Sequence, residues 1–184
     1  MSGIMSVTGQ KDGPPTRVGV LIGDTSSGAF GCIGLLSALL NRQKTGLGQH
    51  VDISMQDVLL AYYDQATYTW DGKILGRTGN RVPTIAPFDS YHTKDNRWVI
   101  IPAANDKLWT QLCTIMGRPE MAEDLRFNSN PNRCENYDEL NEEINKWTMQ
   151  HDLNDIVKLL QAKGQPVSPI LNIDEILALS LIHI

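Results

Sequence analysis

The chain contains few cysteines and few histidines, and neither type is spaced as in a metal site. The three cysteines, Cys32, Cys113 and Cys134, lie far apart and form no C-x-x-C pair. An odd number of scattered cysteines in a chain of 184 residues indicates reduced thiols, buried or incidental, and argues against a disulfide framework. The four histidines stand in unrelated sequence contexts. We therefore expect no bound metal.

The sequence also lacks long runs of basic or apolar residues. No block of lysine and arginine occurs, and the net charge is −5, which argues against nucleic acid as a partner. The apolar run Cys32–Leu40 is far shorter than a membrane-spanning helix and is interrupted by Gly34 and Ser37. Residues 1–3 have neither the basic nor the apolar region of a signal peptide. A composition of 41% hydrophobic and 20% charged residues is ordinary for a globular protein. Since neither a signal peptide nor a membrane span is evident, we expect a cytoplasmic protein that does not bind membranes.

Asp24 is the residue whose local sequence is most informative, because the chain has no phosphate-binding loop, dinucleotide fingerprint or G-x-S-x-G elbow. It follows a predicted extended segment, Arg17–Ile22, and precedes a helix rich in small residues. Gly23 permits a tight turn and leaves space in front of the carboxylate. We expect the amides of residues 25–28 to face that space and the helix dipole to favour an ionised carboxylate. This arrangement suits a nucleophile or base, and equally an ordinary helix cap, so both interpretations stay open.

The hydrophobic pattern of the first part predicts an alternation of strands and helices, which is typical of an α/β unit. The predicted elements are a strand at Val18–Ile22, a helix at Ser26–Lys44, a strand at His50–Met55 and a helix at Gln56–Thr69. The glycines at positions 28, 31 and 34 lower the helix propensity of the first helix. We therefore expect a packed element or a ligand to approach that face closely.

A segment rich in glycine, arginine and proline, Asp71–Pro87, separates the two parts. It predicts one domain at 1–75, a linker at 76–87 and a second domain at 88–178. Within it, Arg77 and Arg81 could reach an anionic ligand, although a solvated turn is the simpler interpretation.

The sequence of the second part predicts a hairpin with strands at Ser90–Thr93 and Trp98–Ile101. Trp98 and Trp109 are expected in the core. The predicted helices are Asp106–Met116, Pro119–Asp124, Tyr137–Met149, Leu153–Lys163 and Ile173–Ala178.

Several short motifs follow one another between Ser2 and Leu177. They are Ser2–Gly9, Gly13-Pro14-Pro15, Ile22-Gly23-Asp24, Lys44–Gln49 followed by Val51–Asp57, Asp124–Phe127 with Arg133 downstream, and Gly164–Pro169. Each motif alone is weakly specific. As an ordered set they resemble the class III CoA-transferase family, which includes formyl-CoA and carnitine CoA-transferases.

The resemblance implies a catalytic role for Asp24, because it matches the aspartate that is the family's nucleophile. It implies that this carboxylate attacks an acyl-CoA thioester and that an aspartyl-CoA thioester then passes CoA to a second carboxylic acid. Met55 matches a position close to bound CoA, and Gly23 is also predicted to line that site. CoA and acyl-CoA are substrates here, so we expect no permanently bound cofactor.

The implied fold is α/β, with part of a Rossmann-like large domain followed by a small α/β domain. In the family, two full-length chains interlock as a homodimer, and most CoA-binding positions precede the segment matched here. We therefore expect an internal fragment that is inactive by itself. A glycine-rich loop of some members is not evident between Pro83 and Tyr91. Residues 179–184 resemble the translation of a sequencing-library adapter, and we expect them to be non-native.

Two alternatives to a CoA-transferase remain at the level of sequence. An acyl-CoA racemase or epimerase of the same fold would use Asp24 as an acid/base on the α-carbon, paired with an upstream histidine. The stretch Ser2–Gly9 is more similar to the transferases. The other alternative is an inert chain whose exposed apolar surface aggregates or binds a partner.

Overall fold

A computed structural model describes residues 2–62 and 76–179. The chain forms two compact units, Met1–Gly79 and Asn80–Ile184, each of which is described by itself. Their assignment to the large and small domains of the family stays a prediction. The predicted non-native tail lies outside the described residues, except for Leu179. The part of the predicted helix that follows Tyr62 also lies outside them.

The first unit is helical in its described part. Its helices are α1 (Ile4–Val7), α2 (Ile22–Thr45) and α3 (Met55–Ala61), and α3 packs against α2. Helix α2 ends as the sequence predicts, with Arg42 and Lys44 in its last turn and Gly46 at a φ of 74° donating its N–H to the carbonyl of Arg42. Helix α3 begins after Ser54, whose hydroxyl accepts the N–H of Asp57 at 3.3 Å.

Both strands predicted for this unit are wrong, since residues 2–62 and 76–79 contain no β-strand. Val20 and Leu21 are each 65% exposed, and no neighbouring strand offers the hydrogen bonds of a ladder. The segment before α3 is extended and keeps the predicted alternation, with Val51 and Ile53 half-buried. Here the period of two reflects packing on a helix instead of pairing in a sheet.

Close packing on the glycine face of α2 is confirmed at one position. A Cβ atom at Gly34 would lie 2.8 Å from Cγ1 of Val51 and 3.6 Å from Cδ1 of Ile53. At Gly28 and Gly31 an added Cβ would meet nothing within 4 Å. Of these three helical glycines, therefore, only Gly34 owes its small size to a described neighbour.

The second unit is built on an antiparallel sheet in the order β1-β2-β3, with β1 at Phe88–His92, β2 at Trp98–Pro102 and β3 at Ser168–Pro169. The predicted hairpin is confirmed, with Tyr91 opposite Val99. Its turn is closed by the N–H of Thr93 donating to the carbonyl of Arg97 at 3.0 Å.

Helices and a 3₁₀ turn surround this sheet. They are α4 (Asp106–Ile115), the 3₁₀ turn Pro119–Ala122, α5 (Asn130–Glu135), α6 (Tyr137–Thr148), α7 (Leu153–Ala162) and α8 (Ile173–Leu177). Helix α6 packs on β1, whereas α7 packs on β2 and β3. The longer helices agree with the sequence prediction, whereas α5 and β3 were missed because each is too short to show a hydrophobic period.

The core of the second unit lies between the sheet and these helices. Its members with 0% exposure include Tyr91, Val99, Ile101, Leu112, Leu140, Ile144, Leu153, Ile156 and Leu160. The predicted stripes of α6 and α7 are thus confirmed apart from Leu159, which is 38% exposed. Trp109 is buried as predicted, but Trp98 is 42% exposed because it lies at the start of β2, beside the hairpin turn.

Candidate active site

A cleft of about 510 Å³ opens in the first unit beside the start of α2. Its described lining is Ser2, Gly3, Ile4, Met5, Ser6, Arg17, Val18, Val20, Leu21, Ile22, Gly23, Asp24 and Leu59. Most of these residues are apolar. The described lining contains two charged side chains, those of Arg17 and Asp24.

Asp24 lies in the first turn of α2 and does not cap it. The predicted start at Ser26 is wrong, because the helix begins at Ile22 and Leu21 occupies the cap position without a side-chain hydrogen bond. The N–H of Thr25 already donates to the carbonyl of Leu21 at 3.1 Å. The unpaired amides at this end are therefore those of Ile22, Gly23 and Asp24, and not those of residues 25–28.

The carboxylate of Asp24 is exposed and available. Within the described residues it accepts no hydrogen bond and forms no ion pair. The neighbouring hydroxyl of Thr25 is directed elsewhere, since it donates to the carbonyl of Leu21 at 2.9 Å. A carboxylate with free lone pairs beside the positive end of a 24-residue helix is placed to react or to bind a ligand.

Gly23 lines the cleft, whereas Met55 does not belong to its described lining. A Cβ at Gly23 would lie 3.6 Å from Cδ1 of Leu59, which is an ordinary contact. Met55 is the first residue of α3 and is 48% exposed. The roles of both residues toward CoA stay predictions. Leu59 was missed, although its spacing of four from Met55 would have placed the two on one face of α3.

The loop before α2 is held in place by hydrogen bonds that sequence reasoning did not anticipate. The N–H of Thr16 donates to the carbonyl of Thr8, and the N–H of Gly79 donates to that of Gly9, both at 3.0 Å. Gly9 has a φ of 128°, and a Cβ there would lie 2.7 Å from Oγ1 of Thr16. These contacts fix the chain immediately before Arg17, whose position at the cleft was likewise not predicted.

The arginines considered for an anionic ligand are engaged within separate units. In the first unit, Nη1 of Arg77 donates to the carbonyl of Ser6 at 3.4 Å. In the second unit, Nη2 of Arg81 donates to the carbonyl of Cys134 at 2.8 Å, and its guanidinium lies 3.8 Å from the ring centre of Tyr137. Both side chains therefore serve local packing.

A second carboxyl group with an unusual setting, Asp89, belongs to the second unit. Burial raises the pKa of Asp89 above its ordinary value. One of its oxygens accepts the N–H of Ser90 at 2.6 Å, and the other accepts the hydroxyl of Tyr137. Because these donors occupy it, Asp89 anchors β1 to α6 and is less available for chemistry than Asp24.

Residues 2–62 and 76–179 contain neither a candidate membrane span nor a candidate metal site. No helix there is long and apolar enough to cross a membrane. No group of three or more histidine, cysteine, aspartate or glutamate side chains in these ranges could hold a metal ion.

The model of one protein family, CoA-transferase family III, matches residues 1–183. The chain belongs to this family. It is 41% identical over 178 residues to the acetyl-CoA:oxalate CoA-transferase of Acetobacter aceti, a match that covers 95% of this chain and 46% of that protein. It is 38% identical over 180 residues to the succinyl-CoA–D-citramalate CoA-transferase of Chloroflexus aurantiacus, covering 97% of this chain and 45% of the relative. The chain thus spans about half the length of the curated relatives it matches.

Solved structures show the same fold. A CAIB/BAIF family protein from Brucella suis is 33% identical with a TM-score of 0.82, and 99% of this chain aligns with 48% of that one. Rv3272 from Mycobacterium tuberculosis is 25% identical with a TM-score of 0.85, again over 99% of this chain and 48% of the other. The predicted α/β fold of the CoA-transferase family is therefore confirmed.

One motif that carried the resemblance to CoA-transferase family III has a structural role in this chain. In the stretch Asp124–Phe127, the carboxylate of Asp124 accepts the N–H of Arg126 at 2.9 Å. Phe127 is buried, and its carbonyl accepts a 2.9 Å hydrogen bond from the guanidinium of Arg133. These residues lie in the second unit and hold a loop to the core.

Proposed function

We propose that this chain carries the nucleophile of a CoA-transferase, Asp24, and that the full-length enzyme moves CoA from an acyl-CoA to a free carboxylic acid. Here the full-length enzyme means a chain of the relatives' length that contains this sequence. The observation that carries the proposal is the exposed, unpaired carboxylate of Asp24 in a cleft at the N-terminus of α2. Membership of CoA-transferase family III supports it.

The proposed reaction starts with nucleophilic attack by Asp24. One carboxylate oxygen attacks the thioester carbonyl and the carbon–sulfur bond breaks, which releases CoA as a thiolate and leaves a mixed anhydride between Asp24 and the acyl group. The thiolate then attacks Cγ of Asp24 and releases the donor acid as a carboxylate. This leaves CoA joined to Asp24 as a thioester.

The second half of the cycle runs through the same steps with another acid. Its carboxylate attacks Cγ of Asp24 and expels the thiolate, which in turn attacks the acceptor's carbonyl. The products are a new acyl-CoA and free Asp24. Each step exchanges a carboxylate for a thiolate without moving a proton, so a general base beside Asp24 is not required.

The start of α2 supplies the electrostatic support that this reaction needs. Each attack places negative charge on a carbonyl oxygen, which N–H donors stabilise. The unpaired amides of Ile22 and Gly23 and the positive end of the helix dipole are suited to that role. The backbone of α2 fixes the direction of these N–H groups, so they are already oriented before the substrate binds.

We propose a dicarboxylic acid as the acceptor. Relatives are named for oxalate, D-citramalate and mesaconate, and each of these acids carries two carboxylates. Each relative is at least 35% identical to this chain over a region that includes Asp24. Acyl-CoA and this acid are the proposed substrates, with no permanently bound cofactor.

We also propose that the full-length enzyme is a cytoplasmic homodimer. Helix α2 has no buried residue in this chain, and Ile33, Leu36 and Leu40 are each more than half exposed. Apolar surface of this extent is covered in a stable protein, by further chain or by a partner. Size-exclusion chromatography with light scattering of the full-length enzyme tests the dimer.

Transfer of labelled acid tests the proposed nucleophile. The full-length enzyme is incubated with an acyl-CoA and labelled free acid, and we expect label in the CoA ester. Asp24→Asn should lower the rate by at least about 10³-fold, because an amide is isosteric but a poor nucleophile. Asp57→Asn is the matched control, since Asp57 is also an aspartate in the first turn of a helix but lies outside the described lining of the cleft.

Mass spectrometry gives an independent readout of the intermediate. Trypsin cuts after Arg17 and Arg42 and so releases Asp24 within one peptide. With acyl-CoA alone, that peptide should carry CoA in the wild type but not in Asp24→Asn. Undiminished transfer by Asp24→Asn would remove Asp24 from its role, and α-proton exchange without acyl transfer would favour the racemase.

A further inference from the structure

Arg17 and Asp24 are the charged members of the described cleft lining. Arg17 is exposed, and within the described residues its guanidinium forms no hydrogen bond or ion pair. An arginine is protonated at any physiological pH and offers five N–H donors in a planar fork. Among the described lining residues, Arg17 is thus the one permanent cation, and its donors are all available to a ligand.

The other lining residues that the structure describes are neutral. Ile4, Met5, Val20 and Leu21 are apolar, and the hydroxyl of Ser6 already donates to the carbonyl of Gly3 at 2.6 Å. An anion that enters the cleft meets the like charge of Asp24. Within the described lining, its favourable charged partner is Arg17.

The proposed reaction leaves a negative charge that such a cation can pair with. When one carboxylate of a dicarboxylic acid becomes a thioester, the other keeps its negative charge in or beside the cleft. A charge removed from water without a partner is costly, whereas a guanidinium fork pairs with a carboxylate through two parallel hydrogen bonds. A monocarboxylic acid places no charge at that position.

We propose that Arg17 binds the carboxylate of the acid that is not converted to a thioester, and that it thereby selects dicarboxylic acids. This inference rests on the proposed CoA transfer through Asp24. Arg17 is presented by a fixed backbone, since the N–H of Thr16 donates to the carbonyl of Thr8 at 3.0 Å. Its role is recognition of substrate, and the bonds made and broken remain those at Asp24.

Paired acids that differ by one carboxylate test the proposal in the full-length enzyme. Oxalate is compared with acetate, succinate with butyrate, and glutarate with valerate, because in each pair a methyl group replaces one carboxylate. For the best dicarboxylate we expect Arg17→Gln to lower kcat/KM by about 10- to 100-fold, mainly through KM for the acid. The KM for acyl-CoA and the kcat/KM for the matched monocarboxylate should change less than about twofold.

Two further variants distinguish recognition from a general loss of charge. Arg17→Lys should restore part of the lost kcat/KM, since it keeps the cation without the fork. Arg42→Gln, which removes a like charge about 27 Å along α2 from Asp24, should behave as the wild type. A wild type that transfers CoA without preferring dicarboxylates, or an Arg17→Gln enzyme that keeps the wild-type preference, overturns this inference. A wild type that transfers no CoA to any acid overturns the proposed function itself.

Discussion

Nη2 of Arg133 lies 2.8 Å from Oδ1 of Asp106, and this ion pair ties α5 to the first residue of α4. The Arg133 side chain is fully buried. Its Nε donates to the carbonyl of Ala86 at 2.6 Å and its Nη1 to that of Phe127 at 2.9 Å. Four segments of the second unit therefore meet at one guanidinium, which is a reason for an arginine downstream of the Asp124–Phe127 motif.

Replacing Arg133 with methionine should strongly destabilise the second unit. The substitution leaves the carbonyls of Ala86 and Phe127 without their donors inside the core, and we expect a loss of about 3–5 kcal/mol in the free energy of unfolding. Urea denaturation followed by tryptophan fluorescence measures it, because Trp109 lies against Arg133. Arg126→Met is the control and should cost much less, since that side chain is 54% exposed. Equal losses for the two variants would contradict the structural role of Arg133.

The second unit should lose stability between about pH 4 and pH 2. Hydrogen bonds from Arg126 hold the pKa of Asp124 at about 2, below its ordinary value of 3.8. A carboxyl with a lowered pKa in the folded state contributes stability above its unfolded pKa, and this contribution disappears as the pH falls through the folded pKa. Asp124→Asn should therefore flatten the dependence of the urea midpoint on pH in this window.

Glu123→Gln provides the comparison for the acid experiment. Glu123 is the neighbouring carboxylate, is exposed, and forms no ion pair within residues 2–62 and 76–179. Its substitution should leave the slope between pH 4 and pH 2 as in the wild type. A slope that Asp124→Asn leaves intact would show that the pairing with Arg126 does not set the acid sensitivity.

The contrast between the two units explains which helices, strands and site residues could be predicted from the sequence. In the second unit, the apolar residues of α6 and α7 repeat with the helical period and fill one core, so both helices and the hairpin were predicted. In the first unit, Val18–Ile22 is apolar, but Val20 and Leu21 are exposed, and an apolar run by itself does not specify a paired strand. Asp24 was singled out by its local sequence and given a role by the family motif, whereas Arg17 has no local signal because only the folded loop brings it to the cleft.

The two central glycines of α2 should respond oppositely to alanine. Gly31→Ala places a Cβ where nothing lies within 4 Å, so it should stabilise the helix by up to about 1 kcal/mol. Gly34→Ala places a Cβ 2.8 Å from Cγ1 of Val51, well inside a normal contact, so the segment on α2 must shift at a cost of about 1–3 kcal/mol. Thermal unfolding of the chain followed by far-ultraviolet circular dichroism compares the two. A similar rise in Tm for both variants would show that Val51 does not pack on Gly34.

The three thiols should separate into one fast and two slow groups when the folded chain is treated with a disulfide reagent at pH 8. Cys32 is exposed on α2 and should react first. Burial raises the pKa of the Cys113 thiol to about 12, so only about one molecule in 10⁴ carries the reactive thiolate at this pH. Burial also raises the pKa of Cys134. Cys32→Ser should abolish the fast phase. In urea, the remaining thiols should react quickly. A fast phase that survives in Cys32→Ser would mean that the second unit opens more readily than its buried core implies.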